Sequence, residues 1–207
     1  MWDVIAVVTA LTLWSIAHSV LAALTVKAWV RRHTGRWFLL YRIAYVAFAI
    51  ISLYALWLWL PRPDGVLYIV PPPWSHVMRL VQVAAIGGFL LAARQINSRE
   101  FLGFAQIGRF HTAAETSALN DEELELSTNG LYGVVRHPLY TTAVVAMAAT
   151  PHMTVWWLLL TAWVSLYFVI GSVFEEHRMV ALFGEEYREY QRTVPRFIPL
   201  PGFLRTS

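Results

Sequence analysis

The chain has 207 residues, of which 57% are hydrophobic and only 14% are charged. A soluble domain of this length carries more charge, so the composition indicates a protein that the lipid bilayer solvates. The net charge is +3, but the basic residues lie in short segments between apolar runs rather than on one patch, which argues against nucleic-acid binding. Cysteine is absent, and this excludes disulfides, thiolate metal sites and a cysteine nucleophile.

Four apolar runs are long enough, or nearly so, to cross a hydrocarbon layer that requires about 20 helical residues. They are residues 4–29, 37–60, 77–93 and 153–174. The first run begins near the N-terminus without a basic leader, so we expect a retained helix rather than a signal peptide. A shorter apolar run, residues 139–149, ends before Pro151 and makes the run at 153–174 the fifth in chain order. Pro138 suits the first turn of the shorter run's helix.

The expected fold is therefore an all-α integral membrane bundle of about five transmembrane helices. Lys and Arg collect in cytoplasmic loops near helix ends, and here they follow the first, third and fifth runs. This pattern predicts an N-terminus outside and a C-terminus inside. We expect one folded unit with three parts: a three-helix scaffold at 1–96, a cytosolic loop at 97–136, and a helical hairpin with a C-terminal helix at 137–207. The loop contains a solvated acidic run at 121–125.

Two polar segments flank the last two apolar runs. The first places Arg136, His137 and Tyr140 within about one helical turn, close to where the chain enters the membrane. Ionisable groups near lipid are costly and tend to be functional. The second contains Glu175 and Glu176, and a helix that ended here would set two carboxylates against its negative C-terminal dipole. We therefore expect these carboxylates to have a cationic partner.

An amphipathic helix is expected after the fifth run. Apolar residues recur there at intervals of three and four, with Gly184 as a possible break. They are Met179, Leu182, Phe183, Tyr187, Tyr190 and Val194. We expect this helix to lie along the inner membrane face, with the two tyrosines toward the membrane, and to close a pocket.

Such a pocket would hold both charge signs and aromatic faces, which suits S-adenosylmethionine with its sulfonium, ammonium and carboxylate groups. Arg136 would pair with the carboxylate. Glu175 or Glu176 would pair with the ammonium group or the ribose hydroxyls. Tyr132 or Tyr140 would face the sulfonium.

Several motifs resemble the isoprenylcysteine carboxyl methyltransferase and phospholipid methyltransferase superfamily. They are Gly-Leu-Tyr-x3-Arg-His-Pro-Leu-Tyr at 130–140, Phe-Glu-Glu at 174–176, Phe-Gly-Glu-Glu-Tyr at 183–187 and Val-Pro-Arg-Phe-Ile-Pro at 194–199. Within that superfamily, residues 101–106 and 149–155 are most similar to bacterial methanethiol S-methyltransferases and NnrU-type relatives.

The resemblance implies a methyltransferase-like C-terminal region and a cofactor reached from the cytosol of a bacterial inner-membrane protein. It implies an acceptor that enters from the bilayer. It assigns cofactor binding to Arg136, His137, Tyr140, Glu175 and Glu176. Arg196 matches an arginine near the acceptor, and we expect it to act with Glu176 in catalysis.

The expected function is S-adenosylmethionine-dependent methylation of a small or lipophilic thiol, with the bilayer and that acceptor as partners. Methylation of an isoprenylcysteine carboxylate or a phospholipid amine is an alternative. Another alternative is a haem-binding protein or isomerase, with His18 and His137 as axial ligands and no other metal site. A third is a scaffold or transporter, which would tolerate loss of Glu176.

Overall fold

The computed structural model describes residues 2–96 and 126–199, together with Leu102 and Phe104. These residues are mostly helical and form two compact units. The first unit contains the described residues up to Arg62 with Leu102 and Phe104, and the second contains residues 63–96 and 126–199. Most of the predicted cytosolic loop, including the acidic run at 121–125, lies outside the described residues. The predicted domain boundaries at residues 96 and 136 stay a prediction.

Up to Arg62, the first unit has three α-helices: α1 (Trp2–Ala22), α2 (Leu24–Thr34) and α3 (Tyr41–Trp59). A 3₁₀-helix, Gly35–Leu40, joins α2 to α3. The predicted continuous helix at 4–29 is wrong, because Ala23 is extended, with φ −64° and ψ 139°, and separates α1 from α2. An apolar pattern alone does not reveal such a break, since the residues on both sides are good helix formers.

Polar side chains join α1 to α3. Trp14 Nε1 donates to Ser52 Oγ at 2.7 Å, and a hydrogen bond of 2.7 Å joins the Tyr45 hydroxyl to His18 Nε2. The His18 ring also stacks on Trp14 and on Tyr45, each at a centroid distance of 4.9 Å. His18 therefore serves in the packing of α1 on α3. Hydrogen bonds of this kind connect helices where lipid offers no competing partner.

The second unit contains four α-helices and two short strands in the described residues. In chain order they are β1 (Val66–Ile69), α4 (Trp74–Arg94), a 3₁₀-helix (Gly130–Gly133), α5 (Pro138–Ala148), β2 (His152–Thr154), α6 (Val155–Phe183) and α7 (Glu185–Thr193). The short helix expected near 139–149 is confirmed, with Pro138 in its first turn. Proline is favoured there because the first helical amide has no intrahelical acceptor.

The strands correct the all-α prediction. β1 and β2 pair in an antiparallel ladder, with Val66 opposite Thr154 and Ile69 opposite His152. Gly65 precedes β1 with φ 125°, and a Cβ there would lie 3.0 Å from Val155 Cγ2. The apolar and aromatic residues after this glycine favour an extended chain, which the pattern of apolar runs obscured.

Helix α6 is longer than predicted and continues to Phe183 instead of ending at Phe174. Glu175 and Glu176 therefore lie inside a helix, and the dipole argument made for them is wrong. The helix stops at Gly184, whose φ of 59° confirms the break expected there. Glycine adopts this conformation without the penalty that a Cβ imposes. Helix α7 follows directly.

Among the described residues, four segments are long and apolar enough to cross a membrane: Trp2–Ala22, Leu24–Trp59, Trp74–Arg94 and Val155–Phe183. Helix α5 is apolar but has only 11 residues. Many large apolar side chains on these helices are exposed, including Leu80 and Val83 of α4, as expected where lipid is the solvent. The orientation in the membrane stays a prediction.

Helices α4 and α5 pack closely at one glycine. A Cβ on Gly88 would lie 3.1 Å from Thr142 Cγ2, whereas a Cβ on the adjacent Gly87 would meet no neighbour within 4 Å. Close approach of this kind is a common basis of helix association in membranes.

We predict that Gly88→Leu lowers the free energy of unfolding by about 1–3 kcal/mol, because the added side chain separates α4 from α5. Gly87→Leu is the matched control and should change it much less. Thermal unfolding in detergent measures both. Equal losses in the two variants would show that Gly88 does not define the packing.

Candidate functional site

The predicted Arg136–Tyr140 segment meets the end of the chain. The amide N–H of Arg136 donates to the Pro195 carbonyl at 2.9 Å, and that of His137 donates to the Arg196 carbonyl at 3.1 Å. One turn into α5, Thr141 Oγ1 donates to the Phe197 carbonyl at 3.0 Å. These bonds hold residues 194–197, the C-terminal strap, against the start of α5. The strap satisfies amides that a helix N-terminus leaves unpaired.

The carboxylate of Glu176 lies at the centre of the site. The residue is 2% exposed, and five donor atoms contact its two oxygens. Oε1 accepts from Arg136 Nε at 2.8 Å, His137 Nε2 at 3.1 Å and Arg196 Nε at 3.1 Å. Oε2 accepts from Arg196 Nη2 at 2.6 Å and Gln191 Nε2 at 2.9 Å. A buried carboxylate is tolerated when its lone pairs are used in this way.

Arg136 is also fully engaged. Its side chain is 8% exposed, and beyond Glu176 its guanidinium donates to the Gln191 carbonyl at 3.1 Å and to the Val194 carbonyl. Arginine suits this position because its planar fork donates in several directions at once. Arg136 thus links α6 to the end of α7 and the start of the C-terminal strap.

Glu175 has a different environment from its neighbour. Its side chain is 42% exposed, and Oε2 accepts from the Tyr140 hydroxyl at 2.9 Å and lies 3.5 Å from His137 Nδ1. Residues adjacent on a helix point about 100° apart, so one carboxylate faces into the cluster while the other reaches its edge. Glu175 therefore presents negative charge at the surface of the site.

His137 lies between the two carboxylates, with a side chain 5% exposed. Burial lowers its pKa, but the hydrogen bonds to Glu175 and Glu176 outweigh burial and raise the pKa above the ordinary value of 6.5. A carboxylate only accepts, so both ring nitrogens donate when the imidazole is charged. In its charged form, His137 therefore bridges the two carboxylates.

Aromatic rings pack beside the ionic cluster and contact one another. Tyr140 stacks on His137 with centroids 5.2 Å apart and on Phe168 of α6 with centroids 4.4 Å apart. Phe197 of the strap lies 5.6 Å from the His137 ring. Offset and parallel stacking adds about 0.5–1.5 kcal/mol per pair beyond area burial. The ionic cluster thus has an aromatic wall on its α5 side.

Tyr187 and Tyr190 of α7 were expected to face the membrane, but they face the protein interior. They are 3% and 7% exposed and pack with Val194 against Met179 and the last turn of α6. Their inward direction follows from the turn at Gly184, which sets α7 back against α6.

The Tyr190 hydroxyl fixes the 3₁₀-helix that carries Tyr132. It donates to the Tyr132 carbonyl. Burial and the nearby charge of Glu175 raise the pKa of Tyr132 to about 12, so its phenol stays protonated and lies within electrostatic range of that carboxylate. Tyr132 thus lies beside the cluster.

The structure brings together Arg136, His137, Tyr140, Glu175, Glu176 and Arg196, all of which were predicted from the sequence. It adds Gln191, Phe168 and Phe197, which were missed. Gln191 was detectable, because it lies one turn after Tyr187 on the buried stripe of α7 and is polar there. Phe197 lies within the Val-Pro-Arg-Phe-Ile-Pro motif, which was noted only for its family resemblance, whereas no pattern marked Phe168 among the many aromatic residues of this chain.

The two imidazoles proposed as haem ligands lie in different compact units. His18 Nε2 is bonded to Tyr45, and both nitrogens of His137 face carboxylates. Axial ligation needs an imidazole nitrogen directed at iron. These contacts do not favour the haem alternative.

Chemically, the cluster is an ionic core in which cationic side chains outnumber Glu176, with a second carboxylate at its edge. Two guanidiniums and the His137 imidazole surround Glu176, while Glu175 remains partly exposed beside phenol and imidazole rings. Such an edge suits a cationic ligand that a carboxylate and aromatic rings bind together.

Comparison with known proteins identifies a family and several similar methyltransferases. The profile of the family described as Phospholipid methyltransferase matches residues 82–186. Methanethiol S-methyltransferase 1 of Bradyrhizobium diazoefficiens is 32% identical over 91% of this chain and 64% of its own length. Methanethiol S-methyltransferase of Pseudomonas deceptionensis is 31% identical over 91% of this chain and 70% of its own length.

A more distant similarity is to Protein-S-isoprenylcysteine O-methyltransferase of Schizosaccharomyces pombe, 29% identical over 61% of this chain and 52% of its own length. This chain spans less than two thirds of the Bradyrhizobium relative. No solved structure matches this chain significantly.

We predict that Glu176→Gln lowers the free energy of unfolding by about 3 kcal/mol, because it leaves the buried Arg136 guanidinium without its counter-ion. Glu185→Gln is the matched control. Glu185 pairs with Arg188 and Arg192 on an exposed face, so its loss should have no measurable effect. Unfolding in detergent compares them, and an unchanged Glu176→Gln would contradict a central role for this carboxylate.

The raised pKa of His137 predicts a pH dependence. A group whose pKa is higher in the folded state stabilises the fold fully below its unfolded pKa, and this contribution is lost as pH rises through the folded pKa. The stability difference between the wild type and His137→Gln should therefore shrink as the pH rises above 6.5. Thermal unfolding of both proteins across that range measures it, and a constant or growing difference would refute it.

Proposed function

The chain belongs to the phospholipid methyltransferase family, and from this premise we propose that it is an S-adenosylmethionine-dependent methyltransferase acting on a small, uncharged thiol. The observation that carries the proposal is the pair of adjacent glutamates, one sealed inside an ionic core and one at its edge. Its relatives are named methyltransferases, which supports an enzyme of this class.

The residues present fit the methyl donor. When bound, S-adenosylmethionine supplies a methyl group on a sulfonium cation. Glu175 would attract its positive groups, because this carboxylate is 42% exposed and is oriented by the Tyr140 hydroxyl. The Tyr132 ring would hold a cation against an aromatic face while excluding water. Tyr140 would act through its hydroxyl instead, because its ring is stacked on both His137 and Phe168.

We assign Arg136, His137 and Glu176 to positioning. Arg136 and Glu176 satisfy each other and the end of α7, and His137 bridges the two glutamates. Their effect on the reaction is to fix Glu175 and the start of α5. Methyl transfer depends strongly on alignment, so a displaced cluster lowers the rate even though its members do not react.

The acceptor is inferred from the contacts of Arg196. Its guanidinium contacts both oxygens of Glu176, at 3.1 Å from Nε to Oε1 and 2.6 Å from Nη2 to Oε2. This bidentate pair occupies donor atoms that a carboxylate acceptor would need. An uncharged thiol requires no such partner, and thiols ionise readily enough to react without a strong protein base. The names of the methanethiol-specific relatives agree with this choice.

We place the site at the cytoplasmic face of a bacterial inner membrane, with the N-terminus outside. Basic residues support this orientation, since Arg178, Arg188 and Arg192 lie at the end of the second unit that carries the site. A donor that is soluble in the cytosol would then reach Glu175 directly. The acceptor would enter from the bilayer, where small thiols partition.

Donor binding by purified full-length protein tests the first half of the proposal. Glu175→Gln should weaken binding of radiolabelled S-adenosylmethionine about tenfold, since a hydrogen bond to a charged group is worth about 1.5–3 kcal/mol. Glu186→Gln, an exposed change on α7, is the matched control and should bind as the wild type does. Wild-type binding by Glu175→Gln would exclude Glu175 as a ligand.

The same preparation tests the acceptor. With the labelled donor, the wild type should methylate methanethiol and give no comparable product with a prenylcysteine or an ethanolamine phospholipid. Mass spectrometry identifies each product. A preference for the prenylcysteine would replace the thiol with a carboxylate acceptor, and no transfer to any acceptor by donor-binding protein would overturn the proposed reaction.

A further inference from the structure

Helix α2 has two chemically distinct faces. Trp29 and Val30 each lie three or four residues from both Val26 and His33, which places these four residues on one side of the helix. Lys27 and Arg31 are four residues apart on the opposite side, with Arg32 next to them. This is the pattern of a helix that lies in a membrane interface, with Trp on one face and basic residues on the other.

The described residues leave much of the apolar face of α2 exposed. No residue of this helix is buried, and Trp29 is 57% exposed. The ring of His33 packs on Trp29, with centroids 4.5 Å apart, and thereby broadens this exposed surface. Val26 and Val30 are half-buried, but the exposed apolar surface around Trp29, next to membrane-spanning helices, suits a covering of lipid.

The length of the span supports the same position. The segment Leu24–Trp59 has 36 residues, which as one helix would extend about 54 Å, well beyond a hydrocarbon layer of about 30 Å. Helix α3 alone has 19 residues, or about 28 Å, and fills the layer by itself. The extended residue Ala23 separates α2 from α1. Helix α2 therefore lies outside the hydrocarbon on geometric grounds.

We propose that α2 is an interfacial helix whose basic face binds anionic phospholipid headgroups. Arg31 and Arg32 are exposed, and cations near a membrane surface attract anionic lipids. The apolar face would sit at the acyl boundary while the arginines reach the phosphates, since long basic side chains extend toward the interface. This lipid surface is independent of the proposed reaction.

A single label measures the surface in the intact protein. The chain has no cysteine, so Val30→Cys carries a unique fluorophore on the apolar face. In vesicles of phosphatidylcholine and phosphatidylglycerol, brominating one lipid at a time reports which lipid contacts the label. Brominated phosphatidylglycerol should quench with a preference of roughly fivefold, and high salt should reduce it. Val26→Cys repeats the measurement at a second site.

Charge variants test whether Arg31 and Arg32 cause the preference for phosphatidylglycerol. Arg31→Gln with Arg32→Gln should bring the preference close to one. Arg188→Gln with Arg192→Gln removes the same charge from α7, where Glu185 already pairs with both arginines, and should leave the preference unchanged. Equal quenching by both lipids in labelled protein that keeps all its arginines would overturn the proposal. An equal loss of the preference in the two double variants would overturn it too. Quenching by neither lipid would show that protein covers α2 and would overturn it as well.

Discussion

The burial of one carboxylate organises the second unit. Removing an ion from water costs several kcal/mol, and partners must offset that cost together. Glu176 meets this requirement with donors from three other places in the chain: the approach to α5, the end of α7 and the C-terminal strap. None of these segments satisfies the carboxylate alone. Their positions are therefore coupled, and the local shape of the site depends on the completeness of this cluster.

The coupling also separates two neighbouring residues by role. The Glu176 carboxylate is surrounded by protein donors, whereas the Glu175 side chain is partly exposed to solvent beside Tyr140. Adjacent positions on a helix cannot face the same direction, so a pair of glutamates supplies one structural and one accessible carboxylate. His137 contacts both glutamates and thereby ties the position of Glu175 to that of the buried Glu176.

Composition and apolar runs predicted the helical membrane fold and the short α5, because hydrophobic length is a direct consequence of bilayer thickness. They did not predict the break at Ala23, the β1–β2 ladder or the full length of α6, which depend on local backbone choices and on packing. The site was largely recognisable, since ionisable residues near lipid are rare enough to be informative. The inward turn of Tyr187 was not, because an amphipathic stripe is the same whether protein or lipid covers it.

The extra length of α6 reconciles a charged site with a membrane helix. A helix crosses about 30 Å of hydrocarbon in about 20 residues, and Val155–Phe183 has 29. If Val155 begins at one edge of the layer, the helix reaches the other edge near Phe174, which is 72% exposed. Glu175 and Glu176 follow at once, beyond the region where an ion is most costly. The helix thus carries the carboxylates to the membrane boundary, where α7 and the C-terminal strap can surround one of them and water can reach the other.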